Sequence, residues 1–500
     1  MPAAAVSATS RSARRTGRCR PVPVRRPSAL LATAVGLGLA AVSLASCTPS
    51  SAGRGATTTE HHHGPPPATA YHLPAGVVHP ISFARQFLPA RFATAPTTAA
   101  CLAQFAIACY SPLQLRAAYD VGPLLRSGDD GRGETIVIVD CFGSPTIVSD
   151  LATFDHTFHI PAPPSLTIVT PAGAIPPWDS ASDGPMVGWG VETSLDVENA
   201  HAMAPGARIV LVETPVNETE GTAGFPQIET AENWAITHEN PAVISQSFGA
   251  TEETFPSPRS ILGLRSAYVL AERDHVTVLA ATGDDGSTNQ SQVSGSNLFT
   301  TRAIDWPGSD PLVTAVGGTQ VHLSQSGARL LPDVVWNDTN LLGTPAAGSG
   351  GTSSVFGRPA FQKSVAAIVG AHRGVPDVSL SAAEDGGALV YESFPGIQPD
   401  WYIIGGTSEA TPLFAGIVAD ADQAVGRHLG DLNADLYELG AEHATGIVDI
   451  TAGSNTVTFQ QDGRTVTVPG YQAVAGYDLA SGLGTIDAAD FVAELKALVS

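Results

Sequence analysis

Six short apolar runs, separated by helix-length intervals, constrain this chain more than any other feature. They are "ETIVIVD" (134–140), "LTIVT" (166–170), "RIVLVE" (208–213), "AVISQS" (242–247), "VTVLAA" (276–281) and "LVTAVG" (312–317). Each is too short for a globular helix and is rich in β-branched residues, so each is expected to be a strand with both faces buried. Helical patterns fall near 191–203, 226–238 and 259–273, and again at 411–425 and 488–499. Buried strands joined by helix-length crossovers imply an α/β fold: a doubly wound, mostly parallel sheet with helices on both faces. In such folds function collects at the carboxyl ends of strands and at adjoining helix N-termini. The regular pattern starts near "SPLQLRAAYDV" (111–121) and runs to residue 500, without internal repeats.

The preceding residues read as targeting and spacer. Seven arginines and no acid occur in the first 50 residues, and "ALLATAVGLGLAAVSLASC" (29–47) is an apolar run shorter than a typical membrane span. That is the signal-peptide pattern, which assigns residues 1–47 to export. The last four residues of the run, Leu44 to Cys47, resemble a bacterial lipobox, in which Cys47 becomes a lipidated membrane anchor. An ordinary export signal with an incidental cysteine is the alternative. An extracellular or cell-surface protein is expected on either reading. Residues 48–75 are low-complexity linker, and His61 to His63 are assigned to it rather than to a metal site. Residues 76–110 form an N-terminal extension that wraps over the domain or stands apart from it.

Export places the chain in an oxidising compartment. Cys101 and Cys109 close a short loop and are the expected disulfide; Cys141 ends an apolar strand and is expected to be buried. The formal net charge is −22, with Lys363 and Lys496 the only lysines. So acidic a body does not hold nucleic acid through phosphate contacts. A monomer is expected, and a low content of charge fits a protein that works in acid, where carboxylates protonate.

Four acidic stretches and one serine carry chemistry. In "GWGVETSLDVENAHAMAPGARIVLVE" (188–213), Glu192 and Asp196 are four apart on an expected helix, hence on one face. A close carboxyl pair in a cleft shares a proton and acts as a base with its orienting partner. The same spacing fits a solvated acidic face. In "LAATGDDGSTN" (279–289), Asp284 lies in a turn at a strand end, a common place for a structural Asp. In "IVDITAG" (447–453) and "GYQAVAGYDLASGLG" (470–484), Asp449 and Asp478 have the chemistry of ligands for a hard cation, which accepts main-chain oxygens as well. In "IIGGTSEATPLFAGIVADAD" (403–422), Ser408 precedes a helical pattern. A helix N-terminus favours negative charge developing beside a serine nucleophile. It equally favours a serine that merely caps the helix.

In combination and in order, these segments resemble the sedolisin family of serine-carboxyl peptidases over roughly residues 112–500. "ETSLD" (192–196) resembles its E-x-x-x-D helix, "AATGDDG" (280–286) its S-G-D-x-G oxyanion loop and "GGTSEATP" (405–412) its G-T-S-x-x-x-P motif. "VISQSFG" (243–249), "DPLVTAVGGT" (310–319) and "GVPDVSLSA" (374–382) are similar to further family segments. The resemblance implies a subtilisin-like fold and an acid-acting endopeptidase on protein or peptide substrates. It implies that Ser408 is the nucleophile, Glu192 its base, Asp196 the acid that orients Glu192, and Asp284 the oxyanion-hole acid. It also implies one structural Ca2+, held by the side chains of Asp449 and Asp478 and the main-chain oxygens of Ile450, Val474 and Gly476.

Departures are visible. Thr282 stands where the family has serine, Val474 where it often has glycine, and about 60 residues separate Cys47 from the domain, too few for the family's large prodomain. That keeps a second expectation in play, a catalytically impaired homologue that binds peptides at the cell surface. A subtilisin-type enzyme of neutral optimum would need a histidine on the helix that carries Glu192. His201 lies at or past its end and reads as structural, and Asp140, without a histidine partner, is assigned no catalytic role.

Overall fold

Each of the six apolar runs forms a strand in a computed structural model that describes residues 85–181, 184–291 and 297–499. The expected signal (1–47), linker (48–75), Cys47 and His61 to His63 lie outside the described residues. The strands are β1 (Thr135–Cys141), β2 (Leu166–Val169), β3 (Arg208–Thr214), β4 (Val243–Gln246), β5 (Thr277–Ala281) and β6 (Thr314–Gln320). With β7 (Val334–Val335) and β8 (Val378–Ser381) they make an eight-stranded sheet in the order β7-β6-β5-β4-β1-β3-β2, with β8 also paired to β6. All pairings are parallel except β6 with β7. The fold is α/β, with a mostly parallel sheet and helices on both faces, as expected.

Side chains alternate across a strand, so each strand feeds two cores. Ile136, Ile138, Ile209, Leu211, Val243, Leu279 and Val316 enter one. Val137, Val139, Val210, Val212, Ile244, Val278 and Ala280 enter the other. The first is covered by α1 (Ile147–Phe158), α2 (Pro185–Met203), α5 (Thr407–Val425) and α6 (Ala488–Leu498). The second is covered by α3 (Phe225–Glu239) and α4 (Ser266–Arg273).

Some boundaries differ from expectation for identifiable reasons. The 259–273 helix is two pieces, Pro258–Leu262 and α4, because Gly263 caps the first with its N–H on the carbonyl of Arg259. The strand at 166–170 is an edge strand, half exposed rather than buried. Helix α5 starts four residues before 411 and carries Pro412 in its interior, where proline gives up one intrahelical hydrogen bond.

The extension before residue 111 wraps over the domain. Its Arg85–Phe92 strand pairs antiparallel with Asp400–Gly405, and Cys109–Tyr110 pairs with Gly387–Glu392, making a separate four-stranded sheet. The Cys101–Cys109 disulfide forms, and Cys141 is fully buried. Among the described residues no helix is long and apolar enough to cross a membrane.

Candidate active site

The Asp400–Gly405 strand runs straight into α5, and the junction places Ser408. Gly406 has φ +101°, a conformation that side-chain-bearing residues rarely adopt, and its N–H donates to the Ala382 carbonyl at 2.6 Å. Helix α5 then begins at Thr407, so Ser408 lies inside its first turn. The capping alternative fails: Gly406 occupies the cap position, and no side chain caps the helix. The Oγ of Ser408 is buried with no hydrogen-bond partner among the described residues. Its N–H is one of the orphan donors of the first turn, with no backbone acceptor. A helix end with an unsatisfied N–H and hydroxyl is a site for developing negative charge.

Asp284 is brought to the same place by the turn after β5. Its Oδ1 accepts from the N–H and from the Oγ1 of Thr407, each at 2.8 Å. The Thr407 Oγ1 in turn accepts from the Gly283 N–H at 3.1 Å. The carboxyl is thus fixed one residue from Ser408 and is almost fully buried.

Helix α2 carries the other pair. Gly416 of α5 lies where a Cβ would be 2.4 Å from the Met203 Cβ and 2.9 Å from the Ala200 carbonyl. At the same turn of α2, the Arg116 guanidinium donates to the Ala202 carbonyl and sits beside the Asp420 carboxyl of α5. The two helices are therefore in close contact at this turn. Eight residues back from this crossing stand Glu192 on α2 and Ser408 on α5, about 12 Å up each helix at 1.5 Å per residue.

Glu192 and Asp196 are both fully buried, which overturns the solvated-face alternative: nearly every residue of α2 is buried. Burial, then the Glu192 carboxyl, then that of Asp140 push Asp196 well above the usual carboxyl range, and the Glu192 and Asp196 side chains share a hydrogen bond. Two carboxyls can do so only with a proton between them. The Oγ of Ser247, just past β4, donates to Asp196 Oδ1 at 3.0 Å. Asp140, at the end of β1, is fully buried and pushed up to about 7 by burial. Sequence reasoning gave it no role, yet it stands close enough to act on Asp196; its strand-end position was the available signal. His201 lies within the last turn of α2 rather than beyond it, and its Nε2 is 3.1 Å from Asp155 Oδ1 and 3.0 Å from the Pro161 carbonyl, a structural tie between α2 and α1.

The five residues assigned to a cation also come together. Asp449 Oδ2 accepts from the Gly476 N–H at 2.8 Å, and Asp478 Oδ2 accepts from the Val474 N–H at 2.8 Å. Asp478 Oδ1 takes the N–H groups of Ala480 and Ser481, both at 2.9 Å. The carbonyl oxygens of Ile450, Val474 and Gly476 accept no hydrogen bond among the described residues. Two carboxylates beside orphaned carbonyls fit a hard cation. No cluster of three His, Cys, Asp or Glu side chains with metal-holding geometry occurs among the described residues, so a cation here would depend on main-chain oxygens.

The model of the Subtilase family matches residues 186–435. Kumamolisin of Bacillus sp. (strain MN-32) is 34% identical over 386 residues, 75% of this chain and 62% of that protein. Sedolisin of Pseudomonas sp. (strain 101) is 27% identical over 394 residues, covering 77% and 61%. Tripeptidyl-peptidase sed4 of Aspergillus fumigatus is 30% identical over 392 residues, covering 68% and 59%. The chain thus spans about three fifths of the length of the curated relatives it matches. The solved structure of Pseudomonas sedolisin, a serine-carboxyl proteinase complexed with two molecules of pseudo-iodotyrostatin, superposes with a TM-score of 0.62 at 24% identity. It covers 79% of this chain and 98% of that one, which shows the shared fold. On these grounds, and with the matched region spanning both α2 and the start of α5, the chain belongs to the subtilase family and to its sedolisin branch.

Proposed function

We propose that this chain is a serine-carboxyl endopeptidase that hydrolyses peptide bonds of protein or peptide substrates in acid. One observation carries the reading: the partnerless Ser408 Oγ at a buried helix start, with Asp284 anchored one residue away through Thr407. A serine hydroxyl is a poor nucleophile until a base takes its proton. Burial and the Glu192 carboxyl hold Asp196 high, so the pair keeps one proton in acid, and this reading gives the remaining charge to Glu192. Glu192 removes the Ser408 proton as Oγ attacks the carbonyl carbon. The oxyanion takes the Ser408 N–H and the Asp284 carboxylic acid as donors. With Oδ1 occupied by Thr407, the acid proton of Asp284 belongs on Oδ2. The proton on Glu192 passes to the leaving amine as the C–N bond breaks, and water, activated by the same carboxylate, hydrolyses the acyl-enzyme. An ionised Asp284 would repel the oxyanion, so the device works in acid.

We further propose that one Ca2+ binds Asp449, Asp478 and the carbonyls of Ile450, Val474 and Gly476, tying two loops without entering the chemistry. Export through residues 1–47, with a lipid anchor on Cys47, places the enzyme outside the cell or at its surface. The name of the Aspergillus relative, a tripeptidyl-peptidase, supports a second reading, release of tripeptides.

Casein digestion at pH 3–5 tests the reading. Ser408→Ala is expected to lower hydrolysis by about three orders of magnitude or more while far-UV dichroism stays unchanged. A variant that keeps its activity overturns the nucleophile. Mass spectrometry of the products separates internal cleavage from tripeptide release.

A further inference from the structure

A pocket of about 280 Å³ lies at the carboxyl edge of the sheet. Phe142, Ile147, Val148, Ile168 and Trp178 form most of its wall, and Glu213 is its one ionisable residue. The wall is preformed. The Trp178 Nε1–H donates to the Pro395 carbonyl at 2.8 Å, and its ring meets Phe394 edge-on at 5.7 Å. Trp178 also rests on Gly190, two residues before Glu192: a Cβ there would be 3.0 Å from both rings. Val148 is 61% exposed and Ile168 40%, so the rim presents apolar surface to water.

Glu213 ends β3 directly opposite Asp140. Its carboxyl fills the space where a Cβ on Gly143 would stand, 1.8 Å from Oε1. The side chain is 8% exposed, and no described residue gives it a hydrogen bond or an ion pair. Its carboxyl is mostly withdrawn from water and borders the pocket, where a polar group of a ligand could satisfy it. Burial, then Asp140, push it up to about 8, so in acid it is a neutral group able to donate and accept.

We propose that this pocket is a specificity subsite that receives one aromatic side chain of the bound peptide, with Glu213 favouring tyrosine over phenylalanine by hydrogen bonding the phenol. An apolar pocket distinguishes poorly between isosteres, whereas an unpaired polar group within it rewards the side chain that satisfies it. Trp178 of its wall packs on α2 two residues before Glu192, and Glu213 stands opposite Asp140 at the sheet edge, which ties the pocket to the carboxyl cluster. The peptide as ligand rests on the peptidase reading; the aromatic preference rests on the pocket.

Two parallel measurements test it: cleavage of peptide libraries by the wild-type protein at pH 4, and the Kd of tyrosine, phenylalanine and alanine peptides for the Ser408→Ala protein. At one fixed position aromatic residues are expected to exceed alanine by about tenfold or more in both. Tyrosine is expected to exceed phenylalanine by about fivefold, the worth of one hydrogen bond. Glu213→Leu should erase the tyrosine advantage. Val148→Asp, on the exposed rim where folding is not at stake, should lower the aromatic preference as a whole. A flat profile in both measurements, or a preference untouched by Val148→Asp, overturns the subsite. Selective binding without cleavage would keep the subsite and remove the peptidase reading.

Discussion

Asp284 and Thr407 are 123 positions apart in sequence, yet Oδ1 of the first receives both the N–H and the hydroxyl of the second at 2.8 Å. These two hydrogen bonds to one oxygen set the carboxyl against the first turn of α5 and make Thr407, not Ser408, the residue that ties the turn after β5 to the helix.

Asp284→Ala is expected to lower kcat by about 10²–10³, the usual cost of one oxyanion donor. Asp284→Asn keeps an acceptor for Thr407 and a neutral donor. It should therefore retain more activity than alanine and extend the rate profile toward neutral pH. An asparagine variant whose profile still falls where the wild type falls would show that ionisation of Asp284 does not set the limit.

Glu192→Gln replaces the proton acceptor with an amide and is expected to cost about 10³ or more in kcat. Asp196→Asn leaves a neutral hydrogen-bonding neighbour and should cost less. Because Asp196 is held high by burial and by Glu192, its loss also removes one ionisation from the alkaline side of the profile. Measuring kcat/KM from pH 3 to 8 on both variants checks this; equal losses for the two would contradict the division of roles.

Stability should decline as pH rises. Glu213, Glu218, Glu220 and Asp422 are each pushed up to about 8, with burial the largest cause. A carboxyl whose folded value lies above its unfolded value of about 4 binds more protons in the native state. Its contribution is complete below about pH 4 and is lost as pH climbs through the folded value. The Tm is expected to be highest near pH 4 and to fall steadily toward pH 8; a Tm that rises over that window would refute the account.

Chelation by EDTA is expected to lower the Tm by on the order of 5 °C, given the stabilisation a saturating ion provides and the size of the domain. Asp449 is exposed, so Asp449→Asn leaves packing intact and should abolish the response to chelator. An unchanged response in that variant would move the ion elsewhere.

The family likeness in "ETSLD", "AATGDDG" and "GGTSEATP" was legible because each motif is a local necessity: two residues one helical turn apart, an acid in a strand-end turn, and glycines before a helix. Two things were not legible. Glu192 and Asp196 sit on a helix buried on every side, and their polar neighbours Glu198 and Asn199 imitate a solvated face. Asp140 lacked an evident partner, because its partner is a helix that crosses over the end of its strand.

Sequence alone determined the sheet, since a strand buried on both faces must be apolar at consecutive positions, and period-two and helical patterns are written in neighbouring residues. It also determined that a serine would stand at a helix entrance. The tertiary structure decided what environment each acid received: which carboxyls lost their water, which stood near another, and which found a donor. Desolvation and proximity depend on groups 50 to 200 positions away, and no local pattern encodes them. Protonation, and with it the proposed chemistry, is therefore a property of the packed molecule.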